Sequence, residues 1–314
     1  MALPVVFLMG PTAGGKTDLA VELAQRLPLE IISVDSAMVY RGLDIGTAKP
    51  PPAVLAHAPH RLIDICDPAE SYSAGRFRED ARREIEDVFR RGRVPLLVGG
   101  TGLYFRALQK GLAILPAADP AFRHALNREA GRLGWGALHR RLAEVDPLAA
   151  ARIHANDPQR IQRALEVQYL TGRPLSESFG NGKRDPLPYP LLKLALAPVD
   201  RATLRERARQ RYLGMLERGL LDEIRTLYAR GDLHPALPSM RLVGYRQGWR
   251  HLAGEISQVE MIRQAITATQ QLAKRQLTWL RGEEAVNWFD SLSWDLLDKV
   301  LKLMRQNANF PDRV

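Results

Sequence analysis

The chain has 314 residues, a single cysteine and a formal net charge of +10, and 46% of its residues are hydrophobic. This length allows one large domain or two, and one cysteine excludes an intrachain disulfide, as is typical of cytoplasmic proteins. No apolar run approaches the about 20 residues that a membrane-spanning helix needs. We therefore expect a cytoplasmic protein that does not cross a membrane.

The first predicted elements are a strand at residues 4–9 and a helix at residues 18–27. Between them lies the pattern G-x-x-x-x-G-K-[ST] of a phosphate-binding P-loop. We call this segment the phosphate loop, and its residues are Gly10, Pro11, Thr12, Ala13, Gly14, Gly15, Lys16 and Thr17. In such a loop, backbone N–H groups and the positive end of the helix dipole converge on a phosphate chain. Lys16 adds a positive charge and Thr17 is placed to ligate a phosphate-bound Mg²⁺, so we expect a pyrophosphate or triphosphate ligand.

Two further strands are expected at residues 29–35 and 94–99, with a helix over residues 73–91 between them. Strands that alternate with helices predict a parallel sheet and thus an α/β fold. The carboxyl ends of parallel strands lie at one edge of the sheet, where ligands gather. We call this the carboxyl edge, and we expect the phosphate loop to meet residues 35–38 and 99–102 there.

The middle of the chain has a different pattern. It opens and closes on proline-containing stretches and contains helical periodicity without a convincing strand. Helices are expected at residues 121–133, 136–145 and 158–171. We therefore expect a P-loop NTPase-like parallel sheet flanked by helices, formed by residues 1–115 and 190–314, with a small all-helical insertion domain at residues 116–189.

The carboxyl-terminal part is basic. A last strand is expected at residues 193–197, and helical periodicity continues almost to the end, in runs at residues 201–219, 220–230 and 258–281. Residues 201–281 contain 15 Lys and Arg against 7 Asp and Glu. A polyanionic partner such as nucleic acid would explain this surplus. Solvated arginines on helix surfaces are the alternative, and charge alone favours nucleic acid only slightly.

Asp35 is the first catalytic candidate. It ends a predicted strand and lies opposite the phosphate loop, where a carboxylate can ligate Mg²⁺ or act as a general base. Its alternative role is to cap the next turn. The polar, aromatic and glycine positions of residues 36–50, which a hydrophobic core does not require, favour a functional role.

Seven blocks of sequence, several of them long enough to be specific, are GPTAGGKT at 10–17, ISVDSAMVYRGLDIGTAKP at 32–50, HRLID at 60–64, LLVGGTGLY at 96–104, DPQRIQRALEV at 157–167, RLVGYRQ at 241–247 and LAKRQLTWLRG at 272–282. In this order they resemble the tRNA dimethylallyltransferase (tRNA isopentenyltransferase, IPP transferase) family over nearly the whole chain. The resemblance implies transfer of a dimethylallyl group from dimethylallyl pyrophosphate to N6 of adenosine 37, which is 3′ of the tRNA anticodon. It also implies that the phosphate loop, with Mg²⁺ as cofactor, holds an isoprenoid pyrophosphate rather than ATP.

The resemblance assigns roles to individual residues. Asp35 is expected to take a proton from the attacking amine, and Thr101 to contact the target nucleotide. Lys16 is expected to stabilise charge on the leaving pyrophosphate. An arginine of the first long carboxyl-terminal helix is expected to complete the pyrophosphate clamp; its position favours Arg211, then Arg207, and a solvated arginine remains the alternative.

The tRNA is expected to present its target adenine flipped out of the stack. The implied tRNA contacts are Asp35, Ser36, Ala37, Met38, Thr101, Arg123, Gln159, Arg160, Ile161, Gln162, Arg163, Met240, Arg241, Leu242, Val243, Gly244, Tyr245, Lys274, Arg275, Gln276, Leu277, Thr278, Trp279, Leu280 and Arg281. Arg160 and Arg163 lie one helical turn apart and share a face. Trp279 either stacks on a base or belongs to the core. Met38 stands where family members often have glutamine, so a backbone or packing contact is implied there.

Two rival functions compete with this interpretation. A small-molecule kinase would use the same loop for ATP, but only the strand before Asp35 ends in an acid suited to Mg·ATP, and a kinase has no use for the basic carboxyl half. A non-catalytic RNA-binding protein with a nucleotide switch would explain the basic segment but not Asp35. We expect a monomeric transferase whose partners are dimethylallyl pyrophosphate and the tRNA anticodon stem-loop.

Overall fold

The chain is built around one parallel sheet. A computed structural model describes residues 3–113, 115–180 and 185–307. The strands are β1 (Val5–Met9), β2 (Leu29–Val34), β3 (His60–Arg61), β4 (Val94–Gly99), β5 (Leu191–Ala197) and β6 (Val286–Asp290). Within the described residues they form one six-stranded sheet in the order β3-β2-β4-β1-β5-β6, and every pairing is parallel. The expected α/β fold is confirmed.

Helices connect these strands. They are α1 (Lys16–Arg26), α2 (Pro52–His57), α3 (Ala74–Arg90), α4 (Gly102–Lys110), α5 (Pro120–Leu133), α6 (Trp135–Val145), α7 (Pro147–Arg152), α8 (Pro158–Thr171), α9 (Leu175–Gly180), α10 (Arg201–Glu217), α11 (Leu220–Tyr228), α12 (Tyr245–Leu252), α13 (Gln258–Leu280) and α14 (Leu296–Asn307). Several begin at side-chain caps: Asp200 accepts from the N–H groups of the first turn of α10, and Ser257 does so for α13. In the part of the chain that the structure describes, no helix has the length and apolar character that crossing a bilayer requires.

Both faces of the sheet are covered by helices. β1 is buried along its whole length, and successive side chains of a strand point to opposite faces. Phe7 accordingly belongs to one hydrophobic cluster with Phe77 of α3 and Phe105 of α4. Leu8 belongs to a second cluster that includes side chains of α1 and α14. This double burial explains why the central strands are nearly continuous apolar runs.

The chain divides into two compact units. The first comprises residues 1–109 and 187–314 and contains the sheet, and the second comprises residues 110–186 and contains α5 to α9. The second unit has its own core, in which Leu138, Leu142 and Leu165 are almost fully buried. From the sequence, this helical segment was expected to begin at residue 116 and to end at residue 189.

Two strands were not predicted. The chain beyond residue 201 was expected to be helical almost to the end, but β6 pairs with β5, with Val286 opposite Lys193. β6 is a five-residue edge strand in which Trp288 is exposed and the other residues are partly buried, so its sequence lacks the continuous apolar run of the central strands. β3 has two residues and is too short to show any periodicity.

Candidate active site

Three loops begin level with one another at the carboxyl edge. The register pairs Met9 with Gly99 and Val34 with Gly99, so β1, β2 and β4 end at the same height. The loops that follow these neighbouring strands therefore start side by side. The structure brings together the phosphate loop, residues 35–38 and residues 99–102, the segments that the sequence placed at this edge.

The phosphate loop has the backbone conformation of an anion-binding turn. Ala13 and Gly15 are in the left-handed region, with φ of 62° and 86°, and α1 begins immediately afterwards at Lys16. Successive N–H groups in such a turn form a concavity at the positive end of the helix. The loop also lies tightly against the sheet, since a Cβ at Gly10 would be 2.3 Å from the carbonyl oxygen of Leu196.

The ammonium group of Lys16 interacts with the charge of a second cation, Arg211. Its Nζ donates a hydrogen bond of 2.7 Å to the carbonyl oxygen of Pro11 in its own loop. Burial is the main cause that lowers the pKa of Lys16 to about 8, and the positive charge of Arg211 is the second. The negative charge of Asp35 acts in the opposite direction and raises this pKa. A bound anion would oppose this lowering, because its negative charge stabilises the protonated form of Lys16.

Both arginines that the sequence proposed for the clamp lie at the phosphate loop. They are one turn apart on α10 and therefore on one face of it. Arg207 Nε donates to the carbonyl oxygen of Ala13 at 3.1 Å. Burial lowers the pKa of Arg211, and the charge of Asp35 partly opposes this effect. The Arg211 side chain makes no hydrogen bond or ion pair within the described ranges, so its guanidinium donors are available to a ligand.

Asp35 caps the turn that follows it, which was the alternative role expected from the sequence. Its Oδ1 accepts hydrogen bonds from the backbone N–H groups of Ala37 at 2.8 Å and Met38 at 3.4 Å, which caps the following turn. Its Oδ2 has no hydrogen-bond partner among the residues described. One oxygen thus fixes the carboxylate in place, and the other remains available to accept a proton.

Thr101 connects the loop after β4 to the loop after β2. Its Oγ1 accepts a hydrogen bond of 3.1 Å from the backbone N–H of Ser36 and donates to Ser36 Oγ at 3.4 Å. Because Ser36 follows Asp35, this contact holds the carboxylate segment against the loop of β4. The Sδ of Met38 accepts a weak hydrogen bond from the hydroxyl of Ser33 at 3.9 Å, which is a contact within the protein.

Two long-range hydrogen-bonded connections were not predicted from the sequence. Gln276 of α13 contacts the backbone of both Thr12 and Gly100, although the sequence assigned it only to the tRNA contacts. Glu223 of α11 accepts hydrogen bonds from the hydroxyl of Tyr245 and from three successive N–H groups of the DIGTAKP block, at residues 44–46. Burial, together with the charge of Glu223, raises the pKa of Tyr245. No local pattern marks either contact, because both partners are far away in the sequence.

The predicted tRNA contacts on α13 fall on two different faces. Lys274, Arg275, Thr278 and Arg281 are exposed, whereas Leu277 and Leu280 belong to the core and cannot offer their side chains to RNA. The Trp279 ring stacks on Phe105, with a centroid distance of 6.1 Å. It also covers Gly102, where a Cβ would lie 2.3 Å from the indole. Trp279 is therefore packed against the protein.

The block at residues 240–245 is largely buried. Met240 and Tyr245 are almost inaccessible, while Leu242 and Val243 are partly buried. Arg241 is exposed and is the member of this block that can offer a charged side chain to RNA. Gly244 has a φ of 92°, in the left-handed region, and its N–H donates to Gln247 Oε1 at 2.9 Å.

In the helical unit, Arg123 and Arg163 converge on one carboxylate. Glu166 has no exposed surface, and its oxygens accept hydrogen bonds from Arg123 at 2.7 and 2.8 Å and from Arg163 at 2.5 Å. Burial alone would raise the pKa of Glu166, but these hydrogen bonds hold it below its usual value. Arg160, which the sequence placed on the face of Arg163, is exposed and pairs with Asp157 at 3.3 Å.

The remaining predicted contacts of α8 are also divided by burial. Gln159 is exposed, and the side chain of Gln162 donates to Asn127 Oδ1 at 3.0 Å. Ile161 is fully buried in the core of the helical unit, so only its backbone can face a ligand.

Known proteins resemble this chain over nearly its full length. A tRNA dimethylallyltransferase of Thioalkalivibrio sulfidiphilus is 61% identical over 309 residues, which cover 98% of this chain and 96% of the relative. The crystal structure of the tRNA isopentenylpyrophosphate transferase of Bacillus halodurans is 39% identical, covers 97% of this chain and 95% of its own, and has a TM-score of 0.70. A structure of a eukaryotic dimethylallyltransferase acting on tRNA is 28% identical, covers 99% of this chain and 82% of its own, and has a TM-score of 0.80.

Family profiles agree with these relatives. The profile described as IPP transferase matches residues 38–283, and one described as isopentenyl transferase matches residues 3–64. The first match alone covers more than half of the chain. This protein belongs to the IPP transferase family.

Proposed function

We propose that this protein transfers a dimethylallyl group from dimethylallyl pyrophosphate to N6 of an adenosine in tRNA. The observation that carries this proposal is the shared electrostatic environment of Lys16, Arg211 and Asp35 at the carboxyl edge. Two cations suit the leaving pyrophosphate, and one carboxylate suits the proton that the amine must lose. The relative from Thioalkalivibrio sulfidiphilus, named a tRNA dimethylallyltransferase, supports the choice of substrates.

These residues account for the proton and the leaving group of the proposed reaction. The bond between C1 of the allyl group and the pyrophosphate oxygen breaks, and its electrons leave with the pyrophosphate. N6 of the adenine forms a bond to C1 and loses one proton, which Asp35 Oδ2 accepts. Lys16, Arg211 and the N–H groups at the start of α1 stabilise the negative charge that develops on the leaving group.

The phosphate loop also fits a magnesium ion. Mg²⁺ that is bound to phosphates usually takes only one or two protein oxygen ligands and completes its shell with phosphate oxygens and water. Thr17 lies in the first turn of α1, and its hydroxyl makes no hydrogen bond within the described part of the chain. We assign Thr17 as the protein ligand. When bound, Mg²⁺ neutralises part of the charge on the pyrophosphate.

The proposed acceptor is adenosine 37 in the tRNA anticodon stem-loop. A stacked adenine cannot reach Asp35 at the carboxyl edge, so the base has to be flipped out, at a cost of a few kcal/mol. The exposed side chains of Lys274, Arg275 and Arg281 supply positive charge for the RNA backbone. We also propose that the protein acts as a monomer, because the proposed reaction requires no second copy, and in the cytoplasm, because it has a tRNA substrate and a lone cysteine.

A transfer assay tests this function. Purified protein is mixed with Mg²⁺, unmodified tRNA and radiolabelled dimethylallyl pyrophosphate, and a parallel reaction contains labelled ATP instead. We expect label in tRNA only from the isoprenoid, recovered as N6-dimethylallyladenosine after digestion. An anticodon stem-loop with guanosine in place of adenosine 37 is the matched control and should stay unlabelled. Phosphoryl transfer from ATP without prenyl transfer would replace this function with that of a kinase.

A further inference from the structure

Gln276 uses both ends of its amide to join two loops of the carboxyl edge. Its Oε1 accepts a hydrogen bond of 2.7 Å from the backbone N–H of Thr12 in the phosphate loop. Its Nε2 donates to the carbonyl oxygen of Gly100 at 3.0 Å. Only one orientation of the amide satisfies both partners, because an N–H needs an acceptor and a carbonyl needs a donor.

The side chain of Gln276 is packed closely against the backbone of the loop after β4. A Cβ at Gly100 would lie 2.4 Å from Gln276 Nε2 and 2.9 Å from the carbonyl oxygen of Gly10. The N–H of Gly10 in turn donates to the carbonyl oxygen of Gly99 at 3.3 Å. The phosphate loop and the loop after β4 are thus in direct contact, and Gln276 spans the contact.

From this contact, a hydrogen bond between Thr101 and Ser36 and the peptide bonds to their sequence neighbours lead to Asp35. Thr101 follows Gly100, its Oγ1 accepts from the N–H of Ser36, and Ser36 follows Asp35. On its other side, Gln276 holds the N–H of Thr12, four residues before Lys16. Gln276 is therefore the side chain that connects the group that binds the pyrophosphate to the segment that carries the base.

Gln276 also lies on the packed face of α13. Ala273 and Leu277, on either side of it, are buried in one cluster with Ala13 of the phosphate loop and Ala208 of α10. Lys274, Arg275 and Thr278 point to solvent instead. Gln276 is therefore separated from the exposed residues of α13, and the helix on either side of it is packed against the protein.

We propose that Gln276 is a positioning residue that fixes the pyrophosphate cradle relative to the Asp35 segment, rather than a contact to RNA. This inference rests on the proposed prenyl transfer. A displacement of about 1 Å between reacting groups can cost about a hundredfold in rate. Loss of Gln276 therefore lowers turnover, while the affinity for tRNA is retained.

The test compares substitutions of two glutamines on the same helix. Gln276→Met keeps the length of the side chain and removes both hydrogen bonds, and Gln276→Glu keeps only the acceptor for Thr12. Gln270→Ala is the matched control, since Gln270 also donates to a backbone carbonyl, that of Arg205 at 3.2 Å, away from the carboxyl edge. Kcat is measured with both substrates saturating, tRNA affinity by filter binding, and Tm by thermal unfolding.

We expect both Gln276 variants to lose about 10- to 100-fold in kcat, with tRNA dissociation constants within about twofold of the parent protein and a Tm like that of Gln270→Ala. Weaker tRNA binding with unchanged saturated kcat would make Gln276 an RNA contact and overturn the proposal. Unchanged kcat and unchanged binding would also overturn it. Failure of the unsubstituted protein to transfer the prenyl group would instead refute the proposed function, so the two failures are distinguishable.

Discussion

The carboxylate of Asp35 accepts a hydrogen bond from the backbone N–H of Ala37 at 2.8 Å through Oδ1 and leaves Oδ2 without a partner among the described residues. Asp35→Asn keeps an oxygen for this turn but cannot accept a proton, so it isolates the chemical role. We expect kcat to fall by about 10²- to 10⁴-fold, the usual contribution of general base catalysis. Single-turnover prenyl transfer with saturating tRNA measures it.

Asp35→Ala serves as the comparison, because it removes the cap as well as the base. Loss of a cap typically costs about 1 kcal/mol, so we expect this variant, unlike Asp35→Asn, to have a lower Tm. Near-parental turnover in Asp35→Asn would show that another group takes the proton and that Asp35 serves only the turn.

The two arginines of α10 are expected to differ in their effects. The Arg211 side chain has no hydrogen-bond or ion-pair partner within the described residues, and its charge interacts with those of Lys16 and Asp35. Arg207 Nε, in contrast, already donates to the carbonyl oxygen of Ala13. Arg211→Ala should raise the KM for dimethylallyl pyrophosphate by about 10-fold or more, since a hydrogen bond to a charged group contributes about 1.5–3 kcal/mol. Steady-state kinetics at fixed, saturating tRNA measures this change.

Arg209→Ala is the matched control for the substitution of Arg211. It lies on the same helix, is exposed, and pairs with Glu206 at 3.0 Å, so its removal should leave the KM unchanged. Equal effects of the two substitutions would mean that the net charge of α10, and not the position of Arg211, attracts the pyrophosphate.

Much of the site could be predicted because it follows from short-range rules. A glycine-rich turn between a strand and a helix has one common geometry, and parallel strands bring their carboxyl ends to one edge. Asp35 and Thr101 were identified for this reason together with the family resemblance. The choice between Arg207 and Arg211 stayed open because helical periodicity places both on one face.

The contacts that could not be predicted join residues far apart in the chain. Gln276 and Thr12 are separated by 264 residues, and Glu223 and Asp44 by 179. A glutamine or glutamate on an amphipathic helix has no pattern that distinguishes a bond to a distant loop from exposure to solvent. β6 was missed for a related reason, because an edge strand is stabilised by its one neighbour and shows little periodicity.

Pyrophosphate binding should depend on the protonation of Lys16. Burial and the charge of Arg211 lower its pKa to about 8, so Lys16 is charged below that pH and neutral above it. We expect kcat/KM for dimethylallyl pyrophosphate to fall as the pH rises through about 8. Kcat should fall less, because the bound anion favours the charged lysine. A pH series of initial rates at saturating tRNA gives both profiles.

Two substitutions test the origin of this pH dependence. Lys16→Arg keeps the positive charge at every accessible pH and should abolish the decline. Arg211→Ala removes a repulsive charge and should move the decline to higher pH. A decline that stays at the same pH in both variants would belong to another group, such as the substrates.

The stability of the helical unit should depend on Glu166. This carboxylate is fully buried and accepts hydrogen bonds from Arg123 and Arg163, which keep its pKa below the ordinary value of 4.5. A lowered pKa in the folded state adds stability above the unfolded-state value, and this contribution is lost as the pH falls through the folded-state value. Glu166→Gln should therefore lower the free energy of unfolding by about 1–3 kcal/mol at neutral pH.

Urea unfolding of the full chain from neutral pH to below pH 4.5 measures this effect. The difference between the parent protein and Glu166→Gln should shrink in the acid part of the range, because the parent also loses the charge there. Glu129→Gln is the matched control: Glu129 pairs with Arg141 at 3.3 Å near the surface and should change stability little at any pH. A difference for Glu166→Gln that stays constant with pH would mean that packing of the side chain, and not its charge, holds the two arginines.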